Sequence, residues 1–254
     1  MSGHLAIVGL GPGDARYLTP EADAALAAAR ALYGYGPYLD RVPVRADQSR
    51  HASDNREESA RAAAALHHAA KGARVAVVSG GDPGVFAMAA AVCEEIESGP
   101  ESWRALDVTV VPGITAMLAV AARIGAPLGH DFCVLSLSDN LKPWELIERR
   151  LDAAAGAGFV IALYNPVSRA RPWQFGAAIE RLRGHLPPST PLVFGRGVGR
   201  PDEHVSVVTL DAADATRADM ATLVIVGSRE TRVIERPGRH PLVYTSRAVA
   251  EVSA

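Results

Sequence analysis

Asp14 is the single acid in the glycine-rich run "GLGPGDARYLT", residues 9–19, which directly follows the apolar stretch "LAIV". A carboxylate held at a strand end is equipped to take a proton from a hydroxyl or to orient one through water. It equally suits a plain turn, closed through the backbone of its own loop. What the run does not suit is a dinucleotide. That fingerprint needs G-x-G-x-x-G, with the third glycine inside a helix aimed at a pyrophosphate. Here the spacing is G-x-G-P-G-D, Pro12 interrupts the turn, and Asp14 would repel a phosphate at short range. An acid about 20 positions further on, which would hold a ribose, is missing from "ALYGYGP" as well. Two more runs carry polar groups beside glycine. "SGGDPGVF" presents Asp82, either in a ligand loop or as the cap of a following helix, and "VPGITA" presents Thr115, with the same two readings. "ALYNPVSRAR" places Tyr164 and Asn165 before Pro166, a pattern that also ends strands.

Metal chemistry has no pattern to support it. The 8 histidines lack H-x-x-x-H and H-E-x-x-H spacing, and His67 and His68, as helix neighbours, point about 100° apart. Cys93 and Cys133 lie in apolar segments and read as buried free thiols. A net charge of -2 gives no global basic field to recruit nucleic acid or an anionic membrane, so an anionic ligand must be caught locally. No apolar stretch reaches the ~18 residues of a membrane span, and no basic region precedes the short N-terminal apolar run. A cytoplasmic protein with no metal is expected.

Short β-rich runs alternate with longer helical ones, the pattern of parallel sheets with helical crossovers. Strands are expected at residues 4–8, 74–79, 107–111 and 131–136. Helices are expected at 20–30, capped by Thr19 with Pro20 in the first turn, at 55–71, opened by Asp54 and Glu57 in capping-box spacing, at 85–97 and at 116–124. The turn-rich "SLSDNLKP" marks a domain boundary, giving α/β domains over 1–137 and 138–254. The second set comprises helices at 144–155 and 173–183 and strands at 159–164, 192–194, 205–209, 223–226 and 242–244, in a sheet expected to be mixed. In open α/β sheets ligands collect where strands end. "GRGVGRPDEH" joins the four loops above as a fifth at such an end, more than a purely structural sheet needs.

"GLGPGDARYLT", "GGDPGVF", "VPGITA" and "TLVIVG" resemble the four landmarks of the tetrapyrrole methylase family, and they cover residues 5–228. Within it, "GYGPYLD", "SDNREESARAAAAL" and "LYNPVSRARPWQ" are similar to the branch that methylates precorrin-3B at carbon-17 with ring contraction. The resemblance implies a homodimer whose chains each fold as two α/β domains with the ligands in a cleft between them. It implies S-adenosylmethionine as cofactor and a tetrapyrrole as substrate. The cofactor pocket would draw on Pro12, Gly81, Asp82, Val85, Thr115, Ala116, Gly197 and Thr222. Asn165 would join them, although relatives often carry methionine there. Gly11 and Gly13 would keep the backbone low beneath a flat macrocycle. Arg169, Arg171, Arg196 and Arg200 would meet its carboxylates, which guanidinium forks match. Asp14 would be the base that ring contraction requires. The same fold with another corrin carbon, a cobalt-loaded intermediate or diphthamide as target is the near alternative, and an NAD(P) oxidoreductase the remote one.

Overall fold

Central strands that are apolar toward both faces need cover on both faces, and the first half of the chain supplies it. The computed structural model describes residues 3–54, 56–168 and 170–248. Its first sheet contains β1 (His4–Gly9), β2 (Ala31–Tyr35), β3 (Ser49–Ser53), β4 (Arg74–Ser79) and β5 (Asp107–Val111) in the spatial order β3-β2-β4-β1-β5. Every neighbouring pair is parallel. The alternation along β1 divides its buried side chains between two clusters. Leu5 and Ile7 join Val75, Val77 and the helical Ala62, Ala65 and Leu66, while Ala6 and Val8 join Leu26, Leu32 and Val78. The crossovers are α1 (Pro20–Ala28), α2 (Gly36–Leu39), α3 (Glu58–Ala70) and α4 (Met88–Ser98). Thr19 caps α1 as expected, its hydroxyl accepting from Ala22 N–H at 3.1 Å.

The sequence expectations missed β2 and β3. β2 is interrupted by Gly34, and β3 reads "SRHAS", a polar edge strand whose side chains are mostly exposed. α4 starts at Met88, three residues later than expected, because Asp82 is engaged elsewhere and residues 82–87 form turns. α3 begins at Glu58. The Glu57 carboxylate reaches back to Asp54 N–H at 2.9 Å, one half of the expected box, while Asn55 lies outside the described residues. Cys93 is exposed, a correction to its reading as buried, because α4 buries Met88, Ala89 and Val92 instead.

The chain divides into two compact units, Met1–Ala116 and Met117–Ala254. The boundary expected at 137/138 therefore falls earlier, and the reason lies in three elements. Val120 of α5 (Ala116–Ile124) packs against Gly195, where a Cβ would sit 2.2 Å from its Cγ2. The short β6 (Gly125–Ala126) pairs within the second unit, and β7 (Phe132–Ser136), expected in the first domain, is an edge strand of the second sheet. That sheet adds β8 (Val160–Tyr164), β9 (Pro191–Arg196), β10 (His204–Thr209) and β11 (Thr222–Val226), in the order β10-β9-β11-β8-β7. It is mixed: β7 and β8 run parallel, the other neighbours antiparallel. α6 (Trp144–Gly156) and α7 (Gln174–Arg183) cover one face with Ile147, Leu151, Phe175 and Leu182. β12 (Thr231–Ile234) and β13 (Leu242–Thr245) complete a three-stranded sheet with β6.

Candidate active site

The order β4-β1-β5 puts three glycine-rich loops side by side at the carboxyl ends of adjacent strands in the first unit. Their backbones interlock. Gly11 and Gly81 exchange hydrogen bonds, Gly11 N–H to Gly81 O at 3.1 Å and Gly81 N–H to Gly11 O at 2.9 Å. A Cβ on Gly113 would lie 2.2 Å from Gly81 O, and one on Gly9 would lie 2.7 Å from Gly113 N, so only glycine lets the three loops approach this closely. Gly11 and Gly81 also adopt positive φ, 67° and 66°.

Asp82 ties two of these loops together. Its Oδ1 accepts from Gly84 N–H at 2.8 Å within its own turn, and its Oδ2 accepts from Gly113 N–H at 3.0 Å in the loop after β5. It does not cap α4. Thr115 is buried directly ahead of α5, and the position that a Cβ would take on Gly81 is 3.6 Å from Thr115 Cα and 3.9 Å from Ala116 N. Val85 and Pro12 are half-buried. Phe86, whose φ is 51°, is 52% exposed beside them, and nothing in the sequence singled it out. A bulky residue in the left-handed region is strained, and such strain gathers at functional loops.

Asp14 opens the 3-10 turn Ala15–Tyr17, with Oδ1 accepting from Arg16 N–H at 2.9 Å. Its side chain is 50% exposed. Beneath the loop lies a residue that sequence reasoning missed. Arg41 Nη2 donates to the carbonyls of Leu10, Gly11 and Gly13.

In the second unit, Asn165 follows β8 with φ 51° and donates from its amide to Ser136 Oγ at 2.9 Å, bridging the ends of β8 and β7. Asparagine tolerates this conformation better than most residues. Tyr164 Oη accepts from Met117 N–H at 3.0 Å and so serves the first turn of α5. Gly197, φ 56°, turns the chain after β9, and Glu203 in the same loop forms a bidentate pair with Arg123 at 2.9 and 3.1 Å. Thr222 is buried, its hydroxyl donating to Asp219 Oδ1 at 2.7 Å.

The four expected carboxylate readers divide. Arg196 is already engaged, Nε with Asp219 at 2.7 Å and Nη1 with Asp202 at 2.8 Å, and these bonds raise its pKa. Arg171 pairs with Asp139 at 2.6 Å and donates to Asn140, clasping the loop after β7. Arg200 is exposed and makes no side-chain hydrogen bond or ion pair among the described residues. Arg169 lies outside them.

The family model for Tetrapyrrole (Corrin/Porphyrin) Methylases matches residues 4–214. The chain belongs to the tetrapyrrole methylase family. It is accordingly a methyltransferase, and its loops are those of a methylase rather than a dinucleotide enzyme. It is 64% identical over 253 residues to the precorrin-3B C(17)-methyltransferase of a Sinorhizobium species, covering 100% of both chains. It is 53% identical over 236 residues, 91% of its length, to the cobalamin biosynthesis protein CobIJ of Mycobacterium tuberculosis, of which it spans 46%. Among solved structures it matches that of the methyltransferase CobJ with a TM-score of 0.92 and 50% identity, over 96% of this chain and 100% of the other. The two-unit α/β architecture is thus the methylase fold.

Proposed function

We propose that this methylase transfers a methyl group from S-adenosylmethionine to carbon-17 of precorrin-3B, with ring contraction to precorrin-4, in cobalamin biosynthesis. The 64% identity to the Sinorhizobium C(17)-methyltransferase carries the reading, since it spans both chains from end to end and leaves no loop outside the comparison. When bound, S-adenosylmethionine would supply a sulfonium methyl open to in-line attack by a ring carbon, with the thioether of S-adenosylhomocysteine as leaving group. The first-unit residues fit such a group. Gly81 leaves open the space beside Thr115 and Ala116 that any Cβ would take, the Asp82 carboxylate is already bonded to two backbone amides, and Val85 and Pro12 add apolar wall. Asn165, Gly197 and Thr222 are the second unit's contribution to the cofactor. Gly11 and Gly13 underlie the macrocycle. Arg200 and Arg169 are assigned to its carboxylates, while Arg171 and Arg196 hold the loops that present them. The protein's part is chiefly to align two reactants and exclude water, effects worth up to ~7–11 kcal/mol. Asp14 takes the hydroxyl proton that ring contraction releases. The working form is a cytoplasmic homodimer without nucleic-acid or membrane partners.

Mass spectrometry after incubation with precorrin-3B and S-adenosylmethionine is expected to show one added methyl and a changed macrocycle absorbance. Turnover of cobalt-factor III in its place, or methylation at another carbon, reassigns the substrate. Calorimetry is expected to show micromolar S-adenosylhomocysteine binding, ~-8 kcal/mol, with NADH silent.

A further inference from the structure

The stretch "GYGPYLD", residues 34–40, leads into Arg41, and the structure gives both a task. The Tyr38 ring covers Gly80 so closely that a Cβ there would lie 2.7 Å from Cζ and 2.9 Å from the hydroxyl oxygen. From the turn after α2, Arg41 Nη2 donates to Leu10 O at 2.7 Å, Gly11 O at 2.9 Å and Gly13 O at 3.0 Å. Arg50 of β3 fixes the same segment from behind, donating to Leu39 O and Pro43 O, each at 2.9 Å. Three carbonyls turned onto one cationic nitrogen curl residues 10–13 around it, and the curl sets the direction in which Asp14 leaves. Glycines at 11 and 13 have the widest backbone freedom and Pro12 has no N–H to contribute, so the run is poorly equipped to hold this shape alone.

We propose that Arg41 is a positioning residue of the methylation site: it holds loop 10–14, and Asp14 with it, in the conformation that meets the tetrapyrrole. The proposal rests on the reading of the chain as a precorrin methylase. Because the acceptors gather on one nitrogen, an ammonium can replace the guanidinium, unlike at a bidentate fork.

The test compares Arg41→Met and Arg41→Lys with wild type. In Arg41→Met, kcat on precorrin-3B is expected to fall ~10–100-fold, the scale of a small misplacement of reacting groups. S-adenosylhomocysteine affinity is expected to fall much less than kcat, because Asp82 still braces the Gly84 and Gly113 amides although loop 10–14 carries Pro12 and bonds to Gly81. Arg41→Lys is expected to regain most of the lost rate. Arg41→Met placed on Asp14→Asn is expected to slow it no further, as for two groups acting through one step. Hydrogen exchange is expected to show lost protection at the Arg16, Tyr17 and Leu18 amides, which bond to Asp14 and Ala15. Wild-type kcat in Arg41→Met overturns the proposal. So does a matched loss of rate, cofactor affinity and melting temperature that lysine does not rescue. If Arg41→Met does not fold, Arg41→Gln gives the same readings. A wild-type protein inert toward precorrin-3B sinks the substrate reading instead, and unchanged exchange at residues 16–18 in the variant then overturns Arg41 on its own.

Discussion

Asp14 combines a turn bond with an exposed carboxylate, and one substitution separates the two. Asparagine keeps an oxygen for Arg16 N–H and removes the base. Asp14→Asn is therefore expected to melt like wild type while turnover falls at least ~100-fold, measured by steady-state assay beside a thermal melt. Wild-type turnover would leave Asp14 with the turn alone. The arginines divide in the same manner. Arg200→Ala is expected to raise the tetrapyrrole KM with kcat and cofactor affinity unchanged, since uniform binding is lost. Arg171→Ala is expected to lower the melting temperature through the broken clasp to Asp139. A KM rise in Arg171→Ala without any change in melting would show that the pair opens for substrate. Residue types alone marked the loops and the acid. They did not reveal that Arg171 and Arg196 are occupied, or that Arg41 lies under the first loop, because most of those partners lie tens of residues away, and Asp202, six residues from Arg196, meets it only through the turn after β9.

The three glycine loops of the first unit behave as one element, with Asp82 as the pin. Asp82→Ala removes both bonds of a charged acceptor and leaves Gly113 N–H without it. It is expected to destabilise by about 2–3 kcal/mol and to weaken S-adenosylhomocysteine binding, checked by urea unfolding and calorimetry. Unaltered affinity in a folded variant would remove Asp82 from the cofactor site. At this scale the strands with strong apolar runs, β1, β4, β5, β8 and β11, were legible from sequence. β3 was not, because a polar edge strand carries no alternation, and β7 was read into the wrong sheet because a strand's own residues do not name its neighbours.

Over the whole molecule, the lowered carboxyl pKa values cluster in the second unit. At Asp152 the cause is the bond from Arg181, at Asp202 that from Arg196, and at Asp219 burial pushes upward but is outweighed by bonds from Thr222 and Arg196. Groups lowered in the fold contribute stability above the ordinary Asp value of ~3.9 and lose it as pH falls through the folded value. In the first unit, burial and then His68 lower His51, so protonation below the ordinary histidine value of ~6.5 favours unfolding. Circular dichroism against pH is expected to show stability declining in the same direction in both windows. Asp219→Asn is expected to flatten the lower one, and an unchanged acid limb would count against it. The strand order carries a different consequence, for synthesis. β1 pairs with β4 and β5, so an interior strand of the first sheet is made before either neighbour, and the second of them arrives about 100 residues later, ~5–20 s at ordinary elongation rates. Leu5–Val8 is an apolar strand with both edges bare until β4 is out and with one edge bare until residue 111 is, which makes the nascent chain a client for whatever waits at the tunnel exit.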